Sequence, residues 1–184
     1  MLTILRAAAV LVGLSTLVLG IAVPLAFTGL ASLAFPGEAA GSLVSRDGRV
    51  VGSALVGQAF AEDRYLHARP SATAARPYDA TASAASQLGP SSATLQAAVL
   101  GRVAAAGGGT LPADAATGSG SGLDPHVSPA NAGAQIPRIA RARGVAEAEV
   151  ASLVAAHAED RPLGVLGEKR VNVLRLNLAL DAMR

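Results

Sequence analysis

With 184 residues the chain can hold one modest domain plus an appendage, and its formal net charge of +2 gives it no strong electrostatic bias. Fourteen of the fifteen basic residues are arginine, spread along the chain rather than gathered into a patch, and only three Phe and two Tyr are present for bases to stack on. This balance argues against a nucleic-acid partner, and the absence of cysteine excludes disulfides, thiolate metal sites and a cysteine nucleophile.

From Ala7 to Gly37 no side chain is charged. A helix over 7–30 would rise about 36 Å, enough to cross a bilayer core of about 30 Å with some tilt. Pro24, Gly13 and Gly20 would weaken a soluble helix but are tolerated in lipid, where small residues let helices approach. Ser32-Leu33-Ala34 offers small residues for a signal peptidase, yet a signal peptide's apolar region spans only about 7–15 residues. The segment therefore reads as an uncleaved anchor, preceded by residues 1–6 and followed by a linker over 31–40. Arg6 and the terminal amine on one side balance Arg46 and Arg49 on the other, so the positive-inside rule leaves orientation open.

Residues 41–184 read as one small α+β domain. The stretch 41–60 predicts a β-hairpin turning at Asp47-Gly48, 65–72 predicts another short strand, and 73–90 an irregular connection. A helix capped by Ser91 or Ser92 carries Leu95, Val99, Val103 and Ala106 on one stripe and stops at Gly107-Gly108-Gly109. Ser128 caps a second helix with Pro129 at its first position and Ala132, Ile136, Ile139 and Ala140 on its apolar face. Pro137 inside it is expected to bend or break it, and Gly144 to end it. A third helix places Val150, Leu153, Val154 and His157 on one side. The last segment, 167–183, predicts a short strand running into a terminal helix.

No motif for catalysis emerges. The glycine-rich TGSGSGLDPHVSP (117–129) lacks the lysine of a phosphate loop, since Lys169 is the sole lysine. The centre of GSGSG is Gly120, so it is not a nucleophile elbow. A Ser119 or Ser121, His126 and Asp124 set would have to assemble from near neighbours. His67, His126 and His157 are too scattered for a metal site. What remains is turn chemistry. Asp124-Pro125 and Ser128-Pro129 bracket a compact loop whose side chains can bond their own backbone, making a rigid recognition surface at a helix N-terminus. Arg138, Arg141 and Arg143 could add an anion-binding patch, although the arginine and alanine excess reads as GC-rich coding bias rather than selection for guanidinium chemistry.

The anchor and the ordered blocks GSALVGQAF (52–60), YLHARPSA (65–72), LGPS (88–91), SGSGLDPHVSP (119–129), ARARG (140–144) and GEKRVNVLRLN (167–177) resemble the C subunit of the Kdp-type potassium-transporting P-type ATPase. The resemblance covers nearly the whole chain, and SGSGLDPH is its most specific string. Ala85-Ser86-Gln87 depart from the family's usual Gly-Ser-Asn, and Pro137 and Lys169 are also atypical.

The resemblance implies a bacterial inner-membrane complex with a channel-like potassium-binding subunit, an ATP-hydrolysing P-type subunit and a small fourth subunit. It also implies a cytoplasmic N-terminus (1–6) and an extracytoplasmic domain (41–184). The family role it brings is that of a catalytic chaperone raising the ATP affinity of the hydrolysing subunit. ATP and K+ then belong to the complex, no metal is expected on this chain, and no residue of it is assigned to a cofactor. The expected docking loop comprises Ser119, Gly120, Ser121, Gly122, Asp124, Pro125, His126 and Ser128. Secondary docking is expected at Arg69, Arg138, Arg141, Arg143, Asn172 and Asn177. A nucleotide-binding regulator and an anchored extracytoplasmic hydrolase using Ser121 are the alternatives.

Overall fold

The computed structural model describes residues 1–183, and its contacts divide the chain into Met1–Val51 and Gly52–Arg184. In the first unit a helical rod over Leu2–Ala34 is long and apolar enough to cross a membrane. It consists of α1 (Leu2–Ser15), a π-helical stretch (Thr16–Ala22) and α2 (Val23–Ala34), with no residue buried. Pro24 explains the π stretch. It has no N–H to donate, and its ring crowds the carbonyl four residues back. The turn before it loosens accordingly, so that the Val23 N–H reaches the Val18 carbonyl five residues back. The rod starts earlier than the predicted span and includes Arg6. Its charge-free part, Ala7–Ala34, is about 42 Å long, more than a bilayer core of about 30 Å needs.

A short helix α3 (Pro36–Ala39) follows, then β1 (Leu43–Arg46) and β2 (Arg49–Ser53), which pair as a hairpin. Asp47 and Gly48 both take positive φ, as a two-residue hairpin turn requires. The expected strand does not continue to Phe60. Ser53 Oγ accepts from the Leu55 N–H, and Ser53 O from the Val56 N–H, so the chain turns instead of extending.

The second unit carries α4 (Ala93–Ala105), α5 (Ala113–Ala116), β3 (His126–Val127), α6 (Pro129–Arg143), α7 (Glu147–Ala156), β4 (Ala158–Glu159), β5 (Arg170–Asn172) and α8 (Val173–Ala182). The strands form an antiparallel sheet in the order β3-β5-β4, with His126 opposite Asn172 and Ala158 opposite Val171. Helices α6, α7 and α8 gather around β5, burying Val127, Ala132, Ile139, Val150, Val171, Leu176 and Leu180. The architecture is thus an apolar N-terminal helix followed by a small α+β domain. The expected stripe on α4 contributes none of this core, since no residue of that helix is buried.

Two local expectations are corrected. Pro137 does not break α6, which runs unbroken from Pro129 to Arg143. The proline sits on the exposed face, while Ala132, Ile139 and Ala140 hold the opposite face in the core. The segment 65–72 is not a strand. Side-chain amides take the place of a neighbouring strand. Asn177 Oδ1 accepts from the Leu66 N–H at 2.8 Å, and Asn177 Nδ2 donates to the Leu66 carbonyl at 2.9 Å. Gln135 does the same for His67, accepting from its N–H and donating to its carbonyl.

Asn177→Leu preserves volume but leaves both polar groups of the fully buried Leu66 without partners. Each such group costs about 1–3 kcal/mol, so the detergent-solubilised full chain should lose about 2–5 kcal/mol in equilibrium denaturation. A loss below about 0.5 kcal/mol, the scatter of ordinary surface substitutions, would show that the amide is not holding this segment.

Candidate docking site

The loop 117–129 bonds mainly to its own serines and to the segment 69–84. Ser119 is buried, and its Oγ accepts from the Gly122 N–H at 3.1 Å while its N–H donates to the Pro70 carbonyl at 2.8 Å. Ser121 Oγ accepts from the Leu123 N–H. Ser71 Oγ donates to the Gly122 carbonyl at 2.7 Å, and the Ser121 carbonyl receives the Ala84 N–H and the Ser83 hydroxyl. Gly122 is required here. Its φ is +70°, and a Cβ would stand 2.7 Å from the Ala84 carbonyl oxygen and 2.9 Å from Thr73 Cγ2. Gly57 is similarly confined, since a Cβ on it would meet the Asp124 carbonyl oxygen at 2.6 Å.

Asp124 closes the next turn. Its Oδ1 accepts from the His126 N–H at 3.0 Å, and its Oδ2 pairs with Arg69 Nη1 at 3.1 Å. Arg69 Nη2 also donates to the Gly118 carbonyl, so one guanidinium ties the start of the loop to its middle. The Pro125 carbonyl accepts from the Val173 N–H, joining the loop to the start of α8. Tyr78 donates its hydroxyl to the Arg69 carbonyl at 2.6 Å, and burial, aided by the Asp124 charge, raises its pKa.

Ser128 caps α6 as expected, its Oγ accepting from the Asn131 N–H at 3.0 Å. The same hydroxyl donates to Asp114 Oδ1, while Asp114 Oδ2 accepts from the Ser128 N–H and from Asn131 Nδ2. Burial acts to raise the Asp114 pKa, but these hydrogen bonds outweigh it and hold the carboxyl below its ordinary value. His126 lies in β3 beside Asn172, with its Nε2 3.3 Å from Asn172 Nδ2. Burial and the Arg170 charge lower its pKa, against the opposing pull of Glu159 and Asp124.

The candidate residues therefore separate. Gly120 and Ser121 are exposed at the tip, and Asp124, Pro125, His126 and Ser128 are half-buried. Ser119 and Gly122 lie beneath them, buried, and shape the loop rather than present it. Asn172 and Asn177 are 3% and 1% exposed, so they cannot form a docking surface; their amides fasten the chain to itself. Nor do the three helix arginines form a common patch. Arg138 bonds the Asp63 and Tyr65 carbonyls, and Arg143 bonds the Arg64 and Leu180 carbonyls and Asp181. Arg141 alone of the three is exposed. An open depression of about 270 Å3 beside the loop is lined by Arg69, Asp124, His126 and Lys169 among others.

Asp114, Ser71, Tyr78 and Gln135 are absent from the sequence-based set. Asp114 lies fourteen residues from Ser128 with no helical or strand spacing to connect them. Gln135 did leave a trace, because it stands four residues after Asn131 and bonds it across one helical turn.

A family model described as "K+-transporting ATPase, c chain" matches residues 5–182. The potassium-transporting ATPase KdpC subunit of Sorangium cellulosum is 54% identical, with all of both chains covered. That of Methylorubrum populi is 51% identical over 100% of this chain and 98% of its own, and that of Cereibacter sphaeroides strain KD131 is 55% identical over 99% and 98%.

Two glycines of the loop give a paired test. Gly122→Ala should destabilise the full chain by about 1–3 kcal/mol, from left-handed strain and the collision with Ala84. Gly120→Ala meets nothing within 4 Å and should stay within about 0.5 kcal/mol of the parent. Equal thermal unfolding midpoints for the two variants would mean that the loop is not held as described.

Proposed function

The chain belongs to the K+-transporting ATPase c-chain family, and from that premise we propose that it is a non-catalytic accessory subunit of an ATP-driven potassium uptake complex in the bacterial inner membrane. The full-length family match carries this reading. In it, the chain assembles with a channel-like potassium-binding subunit, an ATP-hydrolysing P-type subunit and a small fourth subunit. Its anchor enters the bilayer with residues 1–6 in the cytoplasm, and its domain lies outside the cell membrane. Gly13 and Gly29 have open space beside their Cα atoms, which lets another membrane helix approach closely.

The domain docks through the exposed tip of the 117–129 loop, with Arg141 as a separate contact, and so stabilises the complex and modulates the ATP-hydrolysing subunit. Raising that subunit's ATP affinity, as a catalytic chaperone does, needs only a difference in docking free energy between its states. A coupling of about 1–3 kcal/mol corresponds to roughly 5–150-fold in affinity. ATP and K+ act at the level of the complex. With its domain outside and no phosphate-loop lysine, the chain influences nucleotide binding without contacting nucleotide. The bonding of the serines favours docking over hydrolysis. Ser119 Oγ and Ser121 Oγ hold loop amides, and among the described residues no hydrogen bond joins either serine to His126.

Gly120→Glu and Arg141→Glu change exposed positions, and the Gly120 site has open space. Both variants should keep the parent unfolding midpoint but recover less of the other subunits on affinity purification, with lower K+-stimulated ATP hydrolysis. Parental recovery and turnover in both would defeat the docking role. External protease should digest the domain in intact spheroplasts; protection there with digestion in inverted vesicles would reverse the topology.

A further inference from the structure

His126 and Asn172 face each other across the antiparallel β3–β5 pair, where directly opposed side chains share one face of the sheet. The Asn172 amide is fixed by its other partners. Its Oδ1 accepts from the Arg175 N–H at 3.1 Å, capping α8, and its Nδ2 donates to the Ala54 carbonyl at 2.9 Å. Reversing the amide would set oxygen against carbonyl and NH2 against N–H. The group that faces His126 Nε2 at 3.3 Å is therefore a donor. An imidazole nitrogen opposite a donor must be the unprotonated one. His126 is thus neutral, with its proton on Nδ1, which points toward Asp124 Oδ1 at 3.9 Å.

We propose that His126 is a proton-operated latch, whose protonation at Nε2 expels the Asn172 amide and releases the segment 52–57 from the sheet. The proton comes from solvent, and no other covalent bond is made or broken. Imidazolium Nε2–H would oppose the Asn172 NH2, donor against donor, so the amide must leave. With it go the hydrogen bond to the buried Ala54 carbonyl and the cap on α8. Ala54 lies three residues before Gly57, whose N–H bonds the Leu123 carbonyl at 2.8 Å and whose Cα packs against the Asp124 carbonyl. The loosening therefore reaches the 117–129 loop. This inference does not depend on what that loop docks against.

The charged groups around the ring come from every neighbouring element. Asp124 comes from the loop, Arg170 from β5, Glu159 from β4 and Arg175 from α8; Arg69, Asp114, Glu168 and Lys169 line the same depression. Burial and Arg170 together with Arg175 disfavour the imidazolium, while Glu159 and Asp124 favour it, and the balance lies with the neutral ring. The sign follows from linkage. Between the lowered folded value and the ordinary value of about 6.5, the open form binds more protons than the closed one. The latch is closed above that window and weakens as pH falls through it.

The test uses the full chain in lipid nanodiscs with 15N-labelled histidine. Wild-type His126 should carry its proton on Nδ1 at neutral pH and titrate below about 6.5. Asn172→Asp replaces the donor with a carboxylate, and the His126 midpoint should rise by about one pH unit or more. Protection of the Gly57 amide from hydrogen exchange, normalised to its intrinsic rate, should fall with acidification in wild type. In His126→Gln, whose amide oxygen can still accept from Asn172, it should not change. A proton on Nε2 at neutral pH, an unmoved midpoint in Asn172→Asp, or Gly57 protection in wild type that ignores pH would each overturn the latch. Should Asn172→Asp fail to fold, the wild-type tautomer and the His126→Gln comparison decide the matter alone.

Discussion

Side-chain amides do in this domain what a larger sheet does elsewhere. The sheet has only three strands of two or three residues each, so it offers few backbone partners to the chain that crosses it. Leu66 is fully buried in the core, yet among the described residues no strand pairs with it. Asn177 supplies the donor and the acceptor a strand would have supplied, and Gln135 repeats the device for His67. Asn172 holds the Ala54 carbonyl in the same manner. Without these amides the buried backbone would carry unsatisfied groups, each a substantial fraction of a typical net stability of about 5–15 kcal/mol. The core can pack only because the amides let apolar side chains enter it with their backbone polarity satisfied.

The same segment then fixes the loop. Once Leu66 and His67 are fastened to α8 and α6, Arg69 and Ser71 come to lie against the loop 117–129, where they bond Asp124, Gly118 and Gly122. Gly57 approaches from another stretch and meets Leu123 and Asp124. A loop restrained from so many directions loses little conformational entropy on association, which is the benefit of preorganisation. Its rigidity originates in the core, two steps removed from the exposed tip.

Features set by neighbours in sequence were legible from the residues alone. The Ser92 and Ser128 caps, the left-handed Gly144 that ends α6, the Asp47-Gly48 turn and the strand leading into α8 all depend on contacts within a few positions. Features set by distant partners were not. The pattern of 65–72 is that of a strand, and only the fold reveals that its neighbour is a pair of amides more than sixty residues away. Pro137 obeys the rule that proline removes a helical hydrogen bond, but the buried face of α6 overrides the local penalty. The loop 117–129 could be recognised as a built turn, although Asp114, which braces its end, left no local trace. Asn172 and Asn177, expected at the docking surface, are buried and bond backbone inside the domain.

Arginine usage also acquires a structural cause. A coding bias toward arginine would not place each guanidinium. Arg138 reaches two carbonyls of the 63–65 stretch and the Gln135 amide oxygen, and Arg143 reaches two carbonyls and a carboxylate while lying over the Tyr65 ring. Both therefore fasten the chain beside Leu66 to the helices, on the same stretch that the amides hold. A lysine ammonium is a single point charge with no planar fork, and it could not span such separated acceptors. Of the arginines expected at the docking surface, Arg69, Arg138 and Arg143 are committed to internal carbonyls and carboxylates. Arg141, three residues after Arg138 on α6, is exposed and keeps its charge for solvent or a partner. On α6 the division of labour follows from what each guanidinium can reach: Arg138 and Arg143 bond carbonyls of the 63–65 stretch, and Arg141 is exposed.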